Sequence, residues 1–185
     1  MSPWRTRQVT RKINQGAVFA YPTDTIWGFG CHPLQANAIQ RIKTIKSRDS
    51  RKGLILLCSN IEFCRYFIDE NSFSEYKNLT SQTYSKPVTW IFKASRHCPE
   101  WLYGPTATIA IRITNNSLIG NLCDDLTSPL ISTSANSAGK TPARNSLLVH
   151  KHFRNSLDFI IEGSDTGTHN ASEIRDAASG VTIRA

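Results

Sequence analysis

Residues 17–30 run Ala-Val-Phe-Ala-Tyr-Pro-Thr-Asp-Thr-Ile-Trp-Gly-Phe-Gly and pass from an apolar stretch into a polar loop. The apolar residues 17–21 are typical of a buried strand, and a proline ends it because proline cannot donate a hydrogen bond to a sheet. In the loop, the hydroxyls of Thr23 and Thr25 flank the carboxylate of Asp24, and two glycines then allow the backbone to approach a ligand closely. Taken alone, the stretch is explained more simply as an ordinary strand followed by a turn.

Outward from this stretch, short apolar runs alternate with amphipathic segments. The apolar runs predict strands at residues 17–21, 54–57, 88–92, 108–113, 130–133, 159–161 and 181–183. The amphipathic segments predict helices between Pro3 and Gly16 and at residues 35–46, 61–68, 73–84, 117–126 and 144–153. Some strands follow one another too closely for pure βαβ winding, so we expect an α/β (α+β) fold whose twisted mixed sheet is flanked by helices. No linker divides the 185 residues, which predicts a single domain, residues 1–185.

Composition argues against several classes of protein. Hydrophobic residues make up 39% and charged residues 19% of the chain, which argues against intrinsic disorder. The longest apolar run, residues 54–58, is far shorter than the roughly 20 residues of a membrane helix, and the basic N-terminus lacks the apolar stretch of a secretory signal. Five cysteines without a C-x-x-C pair favour free thiols over structural zinc. We therefore expect a cytoplasmic protein with no membrane partner and no protein-bound structural metal.

The formal net charge of +8 is concentrated near the N-terminus. Residues 1–52 hold 10 of the 22 lysines and arginines but only 2 of the 14 acidic residues, and the rest of the chain holds 12 of each sign. Such a basic segment indicates an anionic partner, namely a nucleotide, a polyphosphate or RNA. For the cations of residues 5–12, a solvated helix face is an equally good interpretation.

Two further segments contain residue types that bind phosphate, although the sequence has no P-loop and no complete G-x-G-x-x-G. Residues 46–52, Lys-Ser-Arg-Asp-Ser-Arg-Lys, place four cations before a predicted strand, where they form either a solvated loop or a phosphate clamp. Residues 129–139, Pro-Leu-Ile-Ser-Thr-Ser-Ala-Asn-Ser-Ala-Gly, pass from a buried strand into a run of hydroxyl, amide and backbone N–H donors. Such a run can hold a phosphate without a P-loop.

Taken in order, these segments resemble the YrdC-like family. The matching patterns are P-T-[DE]-T-x-x-G-x-G at residues 22–30, K-x-R-x-x-x-K-G-L at 46–54 and S-T-S-A-N-x-x-G at 132–139. Shorter matches resemble the family's P-V-T-[FW], A-V-R-V and S-E-I-R-D, and they lie at residues 87–90, 110–113 and 172–176. Each motif alone is weak, but together the six cover nearly the whole chain in the family's order.

The resemblance implies a twisted α/β sheet with a large, positively charged concave cavity. It implies synthesis of threonylcarbamoyl-AMP and pyrophosphate from L-threonine, bicarbonate (or CO2) and ATP, with ATP as a substrate whose phosphates hold a Mg2+ ion. The product is expected to supply the threonylcarbamoyl group of the adenosine beside the anticodon in tRNAs that read ANN codons. The expected recipient is the TsaB/TsaD/TsaE tRNA-modifying machinery, and weak direct binding of tRNA or other RNA is compatible with the basic charge.

The same patterns imply site residues. The ATP-binding set is Lys46, Arg48, Lys52, Thr89, Ser134, Asn136 and Arg184. The threonine-binding set is Thr23, Thr25, Arg112, Ser132 and Ser172. Lys46 and Arg48 are the candidate catalytic residues, because the reaction brings together an anionic carbamate and an anionic triphosphate. As exposed cations, these two are expected to contribute little to folding stability.

Two positions depart from the family's pattern, and their roles stay open: Lys86 stands where W-P-G commonly ends, and Ser137 follows S-A-N. The alternative hypothesis is an RNA-binding or rRNA-maturation module that uses the same basic cavity without catalysis. Exposed aromatic residues among cations would favour it, and Trp4 near Arg5 and Arg7 is the candidate. A carbamoyl-transfer domain of a larger enzyme is a third hypothesis, which we disfavour.

Overall fold

A computed structural model describes residues 1–47, 54–82, 84–103, 106–163 and 172–184. The strands are β1 (Phe19–Tyr21), β2 (Gly28–Gly30), β3 (Ile55–Cys58), β4 (Val88–Lys93), β5 (Thr108–Ile113), β6 (Leu130–Ser134), β7 (Phe159–Ile160), β8 (Glu173–Asp176) and β9 (Thr182–Arg184). The α-helices are α1 (Pro3–Asn14), α2 (Ala36–Lys46), α3 (Glu70–Tyr76), α4 (Ser117–Leu126) and α5 (Ser146–Phe153). Short 3-10 helices lie at Ile61–Phe67, Lys77–Ser81 and Arg154–Ser156.

The described strands form one mixed sheet in the order β7-β1-β2-β6-β3-β5-β4-β8-β9. The β1–β7, β3–β5 and β4–β8 pairs are parallel, and the other neighbours are antiparallel. The predicted mixed α/β sheet is therefore confirmed. Strand β6 connects the two parts of the sheet, because its first three residues pair with β3 and its last two residues pair with β2.

Two strands and two helices differ from the sequence prediction. Strands β2 and β8 were not predicted, because β2 is only Gly-Phe-Gly and β8, Glu-Ile-Arg-Asp, lacks an apolar run. The segment predicted as a helix at 61–68 is a 3-10 helix, and the one predicted at 73–84 is α3 followed by a second 3-10 helix. These stretches are short, so packing against the sheet rather than helix propensity decides their form.

Local signals explain where α1 begins and ends. The Ser2 hydroxyl accepts a hydrogen bond from the Arg5 backbone N–H at 3.3 Å, and a proline occupies the first helical turn. Gly16, with φ of +88°, follows the last turn in the left-handed region that glycine adopts without strain. The helix buries Thr6, Thr10 and Ile13 and packs against α4.

All five cysteines are buried free thiols, and the Sγ atoms of Cys58 and Cys64 lie 3.4 Å apart. Burial raises the pKa of the Cys98 thiol to about 11 and raises that of Cys64 as well, which keeps both thiols protonated near neutral pH. None of the helices in the described ranges is long and apolar enough to span a membrane.

Strand β2 depends on a glycine at its last position. A Cβ atom at Gly30 would lie 2.8 Å from Tyr21 Cε1, 2.9 Å from Phe19 Cζ and 3.1 Å from the Ile131 carbonyl oxygen. Both rings are completely buried, so neither can move aside easily. A side chain at this position would therefore push β1 and β6 away from β2.

We expect Gly30→Ala to lower the free energy of unfolding by about 1–3 kcal/mol, the usual cost of overpacking a core. The control is Gly120→Ala within α4, where the added Cβ would meet its nearest atom, Ser59 Cβ, at 3.7 Å. Urea unfolding of both variants checks the prediction, because alanine in a helix interior is neutral or stabilising. Equal stability of the two variants would show that β2 tolerates a side chain.

Candidate active site

The register of the sheet places five predicted site residues on one face: Ser132, Ser134, Arg112, Thr89 and Arg184. Residues paired across neighbouring strands point to the same side of a sheet, and so do residues two apart along a strand. Ser132 pairs with Ile55, and Leu57, two residues further along β3, pairs with Arg112. Thr89 pairs with Ile174, which in turn pairs with Arg184. Ile91, two residues after Thr89, pairs with Ala110, two residues before Arg112, so Thr89 and Arg112 point to the same side. Residues predicted from distant motifs thus share one surface.

The loop between β1 and β2, residues 22–27, lies against this face. A Cβ atom on Gly28 would lie 3.4 Å from Ser132 Oγ and 3.5 Å from Thr23 Cγ2, so this glycine makes room for both side chains. Thr23 and Thr25 are both 2% exposed, and their hydroxyl oxygens are 3.0 Å apart. The sequence alone favoured an ordinary turn here, whereas the fold buries its polar side chains.

Arg112 ties this loop to the centre of the sheet. Its guanidinium is buried and donates from Nη1 to Thr25 Oγ1 and from Nη2 to Asp24 Oδ1, each at 3.0 Å. The Thr23 hydroxyl donates to the Ile26 carbonyl oxygen at 2.7 Å, so the Thr25 hydroxyl donates to Thr23. Thr23 Oγ1 accepts from both the hydroxyl and the backbone N–H of Thr25, so its lone pairs and its hydrogen are all used inside the loop. Thr25 Oγ1 accepts from Arg112 and keeps one acceptor lone pair for a ligand.

Three buried side-chain atoms around this loop have no hydrogen-bond partner within the described residues: Tyr21 Oη, Trp27 Nε1 and Arg112 Nε. A buried polar group without a partner costs about 1–3 kcal/mol. Burial also raises the pKa of Tyr21, so its hydroxyl stays protonated and is a donor. Sequence reasoning did not select Tyr21 or Trp27, because an aromatic residue beside a strand is ordinarily part of the core.

A second cluster joins the start of β4 to the start of β8. Thr89 Oγ1 and Ser172 Oγ are 2.7 Å apart and buried, and Arg184 Nη2 donates to the Ser172 carbonyl oxygen at 2.9 Å. Thr89 and Arg184 were predicted to bind ATP, and Ser172 to bind threonine. The fold brings all three into contact, so the two predicted subsites meet here.

Lys46 differs from the exposed cation that the sequence predicted. It is only 4% exposed, at the end of α2, and its Nζ lies within hydrogen-bonding distance of both the backbone and the side chain of Ser134 and Asn136. The amide N–H of Ala138 donates in turn to the Lys46 carbonyl oxygen at 2.7 Å. The expectation that Lys46 contributes little to folding is therefore wrong, because removal of a buried ammonium would leave several acceptors unpaired.

The loop after β6 is internally ordered by its own side chains. Ser134 Oγ donates to Asn136 Oδ1 at 2.6 Å, and Asn136 Nδ2 donates to the Lys140 carbonyl oxygen. Arg48 and Lys52, the other predicted cations of the ATP site, lie outside the described residues. The predicted basic concave cavity therefore stays a prediction.

A cleft of about 710 Å³ opens beside the Arg112 network. The ends of β3 and β5 and the residues before β4 contribute to its walls, and its charged lining residues are Asp24 and Lys86. The cleft also includes Trp90 and several amide side chains, among them Asn115. Its lining combines an aromatic surface with hydrogen-bonding groups, which suits a polar organic ligand.

Comparisons with known proteins identify relatives of this chain. The sequence model of the Sua5/YciO/YrdC family, described as Telomere recombination, matches residues 11–185. A protein of Pseudomonas fluorescens named threonylcarbamoyl-AMP synthase is 41% identical over 184 residues, which are 100% of this chain and 98% of that protein. A protein of the same name from Pseudomonas savastanoi pv. phaseolicola is 41% identical over 185 residues, 100% of this chain and 99% of that protein.

Solved structures show the same fold. P. abyssi Sua5 in complex with L-threonine superposes with a TM-score of 0.88 at 25% identity, over 98% of this chain and 53% of that one. The chain thus spans about half the length of this Sua5. E. coli YciO superposes with a TM-score of 0.79 at 23% identity, over 99% of this chain and 89% of that one, and this likeness concerns the fold alone. On the match of residues 11–185 and the full-length similarity to curated relatives, the chain belongs to the Sua5/YciO/YrdC family.

Proposed function

We propose that this chain, as a single domain of residues 1–185, is a threonylcarbamoyl-AMP synthase. It makes threonylcarbamoyl-AMP and pyrophosphate from L-threonine, bicarbonate or CO2, and ATP. One observation carries the proposal: relatives with this name match the chain at about 41% identity over its whole length. The buried Arg112 network beside a cleft of about 710 Å³ supplies a place for a small polar substrate.

The threonine subsite consists of Thr23, Thr25, Arg112, Ser132 and Ser172. Arg112 is assigned to the substrate carboxylate because its buried Nε has no partner within the described residues, and a charge-assisted hydrogen bond of this kind is worth roughly 1.5–3 kcal/mol. The threonine complex of P. abyssi Sua5, whose fold superposes on 98% of this chain, supports an amino-acid subsite in this family.

The ATP subsite consists of Lys46, Arg48, Lys52, Thr89, Ser134, Asn136 and Arg184. The carbamate oxygen attacks the α-phosphorus of ATP and pyrophosphate leaves, so the main barrier is the repulsion between two anions. Arg48 and Lys52 supply positive charge toward the phosphates, while Lys46 holds the loop of Ser134 and Asn136 in place through its buried Nζ. Lys46 therefore acts in catalysis mainly by positioning that loop.

The proposed reaction includes Mg2+ that enters with ATP and is held by the phosphates, which are its usual partners in such sites. Among the described residues, no group of three or more His, Cys, Asp or Glu side chains lies close enough together to hold a metal ion. When bound to the phosphates, Mg2+ neutralises part of the triphosphate charge.

The product supplies the threonylcarbamoyl modification of the adenosine beside the anticodon in tRNAs that read ANN codons. The recipients are the TsaB, TsaD and TsaE proteins, and the reaction takes place in the cytoplasm. The name that the relatives share supports the product itself, and these later steps are what the resemblance to the family implies.

A second candidate function, RNA binding without catalysis, is favoured by one observation. Trp4 on α1 is 66% exposed, and the neighbouring Arg5 and Arg7 are exposed as well. An exposed aromatic ring among cations can stack on a base beside bound phosphates. An RNA-binding module has no reason to respond to a free amino acid, so the first assay below separates the two functions.

Pyrophosphate release from ATP is expected to depend on both L-threonine and bicarbonate. L-Serine is expected to stimulate it less, and L-valine hardly at all, because valine cannot satisfy the buried polar groups that meet the substrate hydroxyl. The measurement is a coupled pyrophosphate assay in carbonate-depleted buffer with each addition made separately. Equal stimulation by valine, or full activity without bicarbonate, would rule out the proposed reaction.

Lys46→Met is expected to lower both the free energy of unfolding and the rate of threonine-dependent pyrophosphate release, the latter about tenfold or more, which corresponds to 1.4 kcal/mol. The matched control is Lys43→Met, which removes another buried lysine from the last turn of α2, one that donates to the Trp101 carbonyl oxygen instead. Unfolding and turnover are measured on both variants. Equal loss of turnover in the two would mean that Lys46 acts only through stability.

Ser134→Ala is expected to weaken ATP binding and to leave L-threonine binding nearly unchanged, because it removes a hydroxyl that orders the side chain of Asn136. Ser137→Ala in the same loop is the control. Calorimetric titration with ATP and with L-threonine checks both variants. Unchanged ATP affinity in Ser134→Ala would contradict the assignment of this loop to the phosphates.

A further inference from the structure

The carboxylate of Asp24 has one oxygen engaged by the protein and one that is not. Oδ1 accepts from Arg112 Nη2 at 3.0 Å, whereas Oδ2 has no hydrogen-bond partner within the described residues. The Asp24 side chain is 29% exposed and lines the cleft of about 710 Å³, while its partner Arg112 is 6% exposed and lies beneath it. The ion pair therefore presents a carboxylate oxygen to the cleft.

Asp24 is the single acidic residue among the described residues that line this cleft. The other charged lining residue is Lys86, and hydroxyl, amide and apolar side chains supply most of the remaining wall. A carboxylate oxygen in a partly desolvated cleft is a strong acceptor, and its natural ligand is a cationic N–H donor. The substrates of such a synthase are an amino acid, bicarbonate and ATP, and the ammonium of the amino acid is their one cationic functional group, since Mg2+ enters already bound to the phosphates.

We propose that Asp24 binds the ammonium group of the amino-acid substrate through Oδ2. The inference rests on the proposed function and adds a substrate-binding residue to that site. An amino acid is a zwitterion, so its recognition needs an acceptor for the ammonium and a donor for the carboxylate. Asp24 lines the cleft and supplies the acceptor, and Arg112 behind it, which does not line the cleft, has a buried Nε that no described residue satisfies.

A purely structural role for Asp24 makes a different prediction. If the carboxylate served only to hold Arg112, its removal would disturb the guanidinium and weaken every ligand that Arg112 binds to the same extent. If it binds the ammonium, its removal weakens only ligands that have that group. A comparison of two ligands that differ only at the nitrogen therefore separates the two roles.

The experiment measures the dissociation constants of L-threonine and of (2S,3R)-2,3-dihydroxybutanoate, in which a hydroxyl replaces the ammonium. Calorimetry is done on the wild-type protein, Asp24→Asn and Asp24→Glu. The control Asp124→Asn removes the same charge from an exposed position on α4. Thermal melting of each variant verifies that it is folded.

We expect the wild-type protein and Asp124→Asn to prefer L-threonine to the hydroxy acid by tenfold or more. Asp24→Asn is expected to lose this preference because threonine binding weakens while the hydroxy acid binds within about twofold of its wild-type affinity. Asp24→Glu, which keeps the carboxylate, is expected to retain part of the preference.

Equal weakening of both ligands in Asp24→Asn, or no change in either, would overturn the assignment of Asp24. A wild-type protein that binds neither ligand and shows no threonine-dependent pyrophosphate release would overturn the proposed function and this inference with it. Threonine-dependent release with an unchanged ligand preference in Asp24→Asn would overturn the inference alone.

Discussion

The buried guanidinium of Arg112 is the interaction on which the architecture of the site depends. It lies at the centre of the sheet on β5 and holds the loop of residues 22–27 through Thr25 and Asp24. A buried cation is costly unless it is paired and hydrogen-bonded, so the loop must keep its position as long as the arginine is buried. The position of Arg112 thus fixes how the loop of residues 22–27 covers this face of the sheet.

Lys46 has the corresponding role on the other side of β6. Its ammonium contacts the backbone and side chains of Ser134 and Asn136, so the end of α2 and the loop after β6 form one unit. Two buried cations therefore hold two polar loops against the same sheet. A site built in this way is ordered before its ligands arrive, which lowers the entropic cost of binding.

Most of the fold follows from local patterns in the sequence. Strand β5 and helix α4 were predicted with their observed limits, because three isoleucines at alternate positions of residues 108–113 and a strong helical periodicity leave little choice. Strands β2 and β8 were missed because three residues of Gly-Phe-Gly and a charged tetrapeptide have no strand signal of their own. Their partners in the sheet, β1 and β6 for β2, supply the hydrogen bonds that local propensity does not.

The sequence by itself determined the fold class, the basic segment of residues 1–52 and the order of the motifs that identify the family. It also selected Thr23, Thr25, Arg112, Ser132 and Ser172 as the candidate threonine-binding set. Only the tertiary structure decided that Lys46 is buried, that Thr89 contacts Ser172, and that Asp24 has an oxygen open to a cleft. The physical reason is that burial, partner and direction of a polar side chain depend on residues far away in the chain, whereas strand and helix patterns depend on neighbours.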